Sequence, residues 1–207
     1  MAPEIVIPSA PGPHSMSHEQ STDHGRAFRH CPCCGGPLES RLLKAGDPVR
    51  LVCAACGHVH YLDPKVAVGT IIRRPGDEGI VLVRRAIEPG YGLWVFPGGY
   101  VDRGEAVTDA AIREAREECG IDIRLDALVN VYSYTGRVPV IIVYAATWLG
   151  GTLTIDEESL DARIVTPETV PWDALAFRST REALGDYYAG RTHPSALAPR
   201  QPLPEGW

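Results

Sequence analysis

Glu105, Arg113, Glu114, Glu117 and Glu118 set four acids and an arginine into the segment GYVDRGEAVTDAAIREAREECGI, residues 99–121. The spacing predicts a helix from about Glu105 to Cys119, because no proline interrupts it, Ala106, Ala110, Ala111 and Ala115 favour it, and Gly120 can end it. Glu114, Glu117 and Glu118 then stand three and four residues apart on one face, within reach of a shared ion. Ala111, Ile112, Ala115 and Cys119 form the opposing apolar stripe in this reading. A solvated acidic surface is the alternative, but like charges at this spacing repel by about 0.2–0.5 kcal/mol per pair and lie toward the negative end of the helix dipole. Oxygen-only donors in a cluster suit a hard divalent cation, magnesium or manganese. Gly98 and Gly99, in the preceding WVFPGG, let backbone approach an ion or a phosphate.

A second set of chemistry-bearing residues lies upstream. Cys31 and Cys34 form one CxxC, and Cys53 and Cys56 form another after eighteen intervening residues, each pair followed by glycine. This is zinc-ribbon spacing, expected to close a tetrahedral structural site with no open position. A disulfide pair or a redox motif is the alternative. Cys33 is read as a bystander and Cys119 as a buried small hydrophobe.

Gly99, five residues, Glu105, seven residues, and then Arg113 through Ile121 resemble a complete Nudix box, with Ala115 as a small occupant of a position usually filled by a larger aliphatic. The resemblance implies an α/β/α sandwich with a mixed β-sheet, preceded by a small zinc ribbon. It also implies metal-dependent hydrolysis of a nucleoside diphosphate linked to another moiety. Glu114, Glu117 and Glu118 would bind magnesium or manganese, with the Gly98 carbonyl as a further ligand, while Arg113 and Glu105 brace helix and loop. The general base stays open between Glu114 and a residue outside the box. A further acid is expected from beyond the box, and Glu158, in IDEESLDARIV, is the candidate; Asp156, Glu157 and Asp161 make a solvated acidic turn the competing reading.

Ribbon plus box is similar to two groups, NADH pyrophosphatases that also remove NAD caps from RNA, and a group including plant FAD and ADP-ribose pyrophosphatases. The first carries a Ser-Gln-Pro-Trp-Pro-Phe-Pro stretch downstream of the box, where this chain has NVYSYTGRVPVIIVY. ADP-ribose or FAD, cleaved to release AMP, is therefore the expected substrate, with NADH or NAD-capped RNA as the alternative and a non-catalytic nucleotide sensor as the third reading. Tyr91, Trp94, Tyr132 and Tyr134 are candidates to stack a flat ring, Tyr91 foremost. Arg84 and Arg85 are candidates for phosphate contact.

The formal charge of −6 and only two lysines, Lys44 and Lys65, argue against generic affinity for nucleic acid or membrane. No stretch approaches the ~18 apolar residues of a membrane helix, and no signal-peptide core is evident, so a cytoplasmic location is expected. A homodimer formed through the ribbon is a further expectation.

The elements that must position these residues follow. Residues 1–29 are expected to be a disordered tail, with His14, His18 and His24 solvated; 30–62 the ribbon; 63–190 the hydrolase domain; and 191–207 a proline-rich disordered tail. Strands are predicted at Lys65–Arg73 and Ile80–Arg84, as a hairpin across PGDEG, and at Leu93–Phe96, Ala127–Tyr134, Val138–Leu149 and Ala162–Val165. A closing helix is predicted at Ser179–Tyr188, with Leu184 and Tyr188 toward the core and Trp172 and Phe177 as packing residues.

Overall fold

The computed structural model describes residues 28–76 and 79–194. Most of both tails, with His14, His18 and His24, lies outside this range, as does part of the PGDEG turn, whereas residues 191–194 of the second tail are described and His193 N–H donates to Leu128 O (2.7 Å). The chain divides into two compact units, a smaller one holding the two CxxC pairs and residues 135–138, and a larger one built mainly from residues 65–134 and from 139 onward.

In the smaller unit, β1 (Leu38–Arg41), β2 (Arg50–Cys53) and β3 (Val59–His60) form a three-stranded antiparallel sheet in the order β1-β2-β3. Leu51, Val52 and Cys53 are buried, leaving an apolar core of only a few residues. A core that small needs a covalent or metal staple.

The larger unit contains β4 (Val66–Arg73), β5 (Ile80–Arg85), β6 (Trp94–Val95), α1 (Val107–Cys119), β7 (Ile121–Tyr132), β8 (Val140–Gly151), β9 (Ser159–Val165) and α2 (Arg178–Tyr188), with a 3-10 turn at Trp172–Ala174. The six-stranded sheet runs β6-β5-β4-β8-β7, with β9 on β5. It is mixed, since β4 and β8 pair in parallel from Val66↔Val140 to Arg73↔Thr147, whereas β7/β8 and β5/β9 are antiparallel. Helix α1 packs on β4 and β7, and α2 on β7 and β8, giving the α/β/α sandwich. Ile71, Ile72, Ile80, Leu82, Ile121, Val143 and Leu184 share one apolar cluster, and Val68 and Tyr144 meet Ala110 and Ala111 of α1 in a second. Leu184 is fully buried, and Tyr188, Trp172 and Phe177 pack against the first cluster, as expected.

Three expectations change. The β4–β5 hairpin is reduced to the single pair Arg73↔Ile80, because β4 spends its length on β8 and β5 its length on β9. The two strands splay, and the Pro97–Val101 backbone fills the opening: Thr70 N–H donates to Pro97 O (2.9 Å), Val68 N–H to Gly99 O (2.8 Å) and Val101 N–H to Val66 O (3.0 Å). That opening seats the glycine loop. Strand β7 begins at Ile121 rather than Ala127, the alternation Ile121, Ile123, Leu125 against Asp122, Arg124, Asp126 marking a half-buried edge strand. Helix α1 begins at Val107 rather than Glu105, since residues 102–106 form a turn in which Glu105 N–H donates to Asp102 O (3.0 Å) and Glu105 Oε2 accepts from Asp102 N–H (3.1 Å).

Candidate active site

Gly120 ends α1 in the left-handed region, φ 67°, and its cap amide reaches back to the carbonyls of Ala115 and Arg116. The buried face of the helix is Ala110, Ala111, Ala115 and Cys119, all fully inaccessible. Ile112 is 40% exposed, which corrects its assignment to that face. At 100° per residue, Glu114 and Glu118 fall between Ala110 and Ala115 on the sheet-facing side, so the acids border the apolar stripe rather than oppose it. Only Glu117 of the three turns outward, its side chain 59% exposed against 13% for Glu114.

The glycine loop is cut to fit these acids. Gly98 N–H donates to Glu118 Oε2 (2.8 Å). A Cβ on Gly98 would lie 2.1 Å from Val68 O, and a Cβ on Gly99 2.6 Å from the Glu114 carboxyl carbon. Contact with backbone cannot yield, but a carboxylate can turn aside. Gly99→Ala is therefore expected to fold with little loss of thermal stability while displacing Glu114 and lowering kcat about 100-fold, a split readable from a melting curve beside steady-state kinetics.

Arg113 binds the cluster together. Its Nε and Nη2 donate to Glu105 Oε1 (2.8 Å) and Oε2 (3.0 Å), its Nη1 donates to Glu114 Oε1 (2.8 Å) and Glu117 Oε2 (2.9 Å), and its Nη2 also reaches Tyr100 O (3.2 Å). The forked pairing holds the Glu105 carboxyl down at about 2, with help from the Asp102 amide. Burial pushes Glu114 upward against the opposing Arg113. Burial also drives Glu118 up to about 8, the Gly98 amide opposing it and the charges of Glu114, Asp156 and Glu158 adding to it.

Glu158 thus lies within electrostatic reach of Glu118, although forty residues separate them in sequence. Two backbone bonds bring it there. Thr154 N–H donates to Cys119 O at the end of α1 (3.0 Å), and Ala86 N–H donates to Glu158 O (2.7 Å). Asp156, read before only as a neighbour in an acidic turn, acts on Glu118 as well and caps the Glu158 amide (3.0 Å). Six carboxylates in this region, Glu105, Glu114, Glu117, Glu118, Asp156 and Glu158, face the Arg113 guanidinium, and this all-oxygen donor set fits a hard divalent ion.

The candidate substrate contacts separate. Tyr91 is 58% exposed on the 86–93 loop. Trp94 is 8% exposed with the Arg163 guanidinium 5.1 Å above its ring, so it packs and offers no open stacking face. Tyr132 and Tyr134 spend their hydroxyls on Asp186 (2.7 Å) and Glu182 (2.8 Å) of α2, with Arg178 over the Tyr134 ring, and are likewise withdrawn as stacking residues. Arg84 donates Nε to Gly92 O (2.8 Å) and stays exposed. Arg85 is committed to Pro89 O and the Phe177 ring. Tyr100 was missed: it is 52% exposed, follows Gly99, and carries the Lys65 ammonium 4.8 Å from its ring. Its place directly after the paired glycines was the available signal.

In the smaller unit the four sulfurs of Cys31, Cys34, Cys53 and Cys56 lie within 4.8 Å of one another, with Cys31···Cys56 at 3.7 Å and Cys34···Cys53 at 3.5 Å. A tetrahedron of 2.3 Å zinc–sulfur bonds has edges of about 3.8 Å, whereas a disulfide would bring sulfurs to about 2.05 Å. The thiols fit zinc. Gly35 and Gly57, at φ 74° and 75°, turn the two knuckles. The Cys56 amide, with other neighbours, lowers the Cys53 thiol to about 6; at Cys34 the Gly36 amide lowers, but the Cys56 and Cys53 thiols outweigh it and push it up to about 12. Cys33 is exposed and outside the cluster, and Cys119 is buried.

The NUDIX domain model matches residues 63–185, more than half of the chain. The chain belongs to the Nudix hydrolase family. The Nudix N-terminal zinc-ribbon model matches residues 29–62. An ADP-ribose pyrophosphatase of Methanocaldococcus jannaschii is 36% identical over 121 residues, covering 56% of this chain and 69% of that one. A NAD-capped RNA hydrolase NudC of Stutzerimonas stutzeri is 32% identical over 146 residues, covering 69% of this chain, which spans half the length of that relative. The crystal structure of a NUDIX hydrolase from Nitrosomonas europaea superposes with a TM-score of 0.74 at 30% identity, covering 79% of this chain and 92% of that one. Among the described residues, no helix is long and apolar enough to cross a membrane.

Proposed function

We propose that this Nudix hydrolase cleaves the diphosphate bond of ADP-ribose or FAD and releases AMP. The observation that carries the reading is the cluster of Glu114, Glu117 and Glu118 under the Gly98–Gly99 loop, braced by Arg113 and approached by Glu158. Glu114, Glu117, Glu118, Glu158 and the Gly98 carbonyl would hold magnesium or manganese. When bound, such an ion lowers the pKa of water and neutralises charge on the diphosphate. Glu105 and Arg113 hold the acids in place, while Gly98 and Gly99 admit the diphosphate to the backbone. Tyr91 offers the base a flat face, and the Arg84 guanidinium lies at the root of the same loop. ADP-ribose leads because the archaeal pyrophosphatase shares 36% identity and most of its own length. NADH or NAD-capped RNA is the second reading, favoured by the NudC relative, whose match covers 69% of this chain.

The ribbon fits a structural zinc site in a reducing, cytoplasmic setting. A homodimer built through it is checked by light scattering at micromolar concentration, where a monomer mass removes it.

The substrate is tested by incubating the protein with magnesium or manganese and a panel of ADP-ribose, FAD, NADH and NAD-capped RNA, with products separated by chromatography. AMP from ADP-ribose or FAD supports the first reading, preference for NADH or capped RNA selects the second, and turnover of none makes the chain a nucleotide-binding module. Tyr91→Ala is expected to raise KM about 10-fold for the preferred substrate with kcat held, since stacking on one base is worth about 1–3 kcal/mol.

A further inference from the structure

Arg85, the last residue of β5, is where three segments of the hydrolase unit meet. Its backbone closes the 86–92 loop, Arg85 N–H donating to Leu93 O (2.9 Å) and Arg85 O accepting from Gly92 N–H (2.8 Å). Its Nε donates to Pro89 O inside the loop (2.8 Å). Its guanidinium carbon stands 5.1 Å from the centre of the Phe177 ring. Phe177 precedes α2, and its neighbour Ala176 is pinned by its own N–H to Trp94 O (2.8 Å). The packing is close enough that a Cβ on Gly90 would lie 3.2 Å from Ala176 Cβ and 3.5 Å from Arg85 Cδ.

The residue after Arg85 carries the connection onward. Ala86 N–H holds the Glu158 carbonyl, and the register passes from Arg84↔Asp161 to Arg85↔Ser159, so that Leu160 is an extra residue in β9. Such a bulge bends the strand and re-aims what precedes it, here Glu158. The loop bearing Tyr91 and the turn bearing Glu158 therefore share one root.

We infer that Arg85 is a positioning residue that couples the Tyr91 loop to Glu158, so that ordering of the substrate's base and placement of the outlying acid occur together. The inference rests on the roles given to Tyr91 and Glu158 under the proposed function. A lysine replaces it only in part, because the planar fork both stacks on Phe177 and donates sideways to Pro89 O.

The test uses the full chain with Arg85→Leu, Arg85→Lys and Phe177→Leu, reading amide exchange, manganese binding by paramagnetic resonance, and steady-state kinetics. In Arg85→Leu, exchange in 86–93 and in 152–159 is expected to rise together by about 10-fold while α1 keeps its protection. The manganese concentration for half-saturation and KM are both expected to rise about 5-fold or more. Arg85→Lys should fall between this variant and the wild type, whereas Tyr91→Ala should raise KM and leave 152–159 unchanged. If 86–93 loosens while 152–159 and manganese binding stay as in the wild type, Arg85 braces only its own loop and the inference is overturned. Should Arg85→Leu not fold, Phe177→Leu makes the same comparison with a smaller perturbation. Exchange and manganese binding decide the coupling even if none of the panel is hydrolysed, which separates this inference from the substrate reading.

Discussion

Glu118→Gln is expected to abolish hydrolysis, by about 1,000-fold or more, and at the same time to make the metal-free protein more stable at alkaline pH. The first effect removes the acid at the centre of the cluster and corresponds to about 4 kcal/mol of transition-state stabilisation. The second follows from linkage. The folded-state pKa of Glu118 is raised to about 8 from the ordinary 4.5. Its contribution to stability is thus fully present below pH 4.5 and is lost as pH rises from there through 8. At pH 9 that loss amounts to roughly 3–5 kcal/mol before relaxation of the surroundings, and glutamine, which does not ionise, avoids it. Thermal melts between pH 5 and 9 with a chelator present should show wild-type stability falling relative to the variant across this window. Added magnesium or manganese should raise the wild-type melting temperature much more than the variant's. Equal stabilisation of the two proteins by metal would remove Glu118 from the cation site and leave it a buried acid of the core, whereas parallel pH profiles would overturn its raised pKa.

Loss of zinc is expected to have the second large effect, confined to the smaller unit. Structural zinc in small ribbons contributes about 10–16 kcal/mol of apparent folding free energy near neutral pH, far beyond what the few buried residues around Leu51 and Val52 can replace. Cys53→Ser, or stripping with a strong chelator, should therefore release one zinc per chain, measured by elemental analysis, and collapse amide protection in β1–β3. Protection in β4, β8 and α1 should persist, because their apolar clusters contain no residue of the ribbon. A protein that binds no zinc when purified, or keeps β1–β3 protected without it, would turn the four thiols into a redox device instead.

The chemistry-bearing residues were readable along the chain because each depends on local spacing. A helix carries Glu114, Glu117 and Glu118 together through its own periodicity, Gly120 stops it through its own φ, and two CxxC knuckles bring four thiols to the separation that a zinc–sulfur bond length would set. Most strands were readable for the same reason, down to the alternation in β7 that merited an earlier start. Local spacing carries no information on which strand lies beside which, or on which exposed-looking aromatic another chain segment will cover. The parallel partnership of β4 and β8 opened the space that the glycine loop fills, and the β9 bulge with the Ala86 bond brought Glu158 toward Glu118. Arg163 covered Trp94, and α2 took the hydroxyls of Tyr132 and Tyr134, leaving Tyr91 and Tyr100 open. The identity of the acids and thiols is a property of the one-dimensional pattern. The charge environment of Glu118, the fit of Gly99 against Glu114 and the choice among the aromatics arise from long-range pairing and burial, which exist only once distant segments have packed.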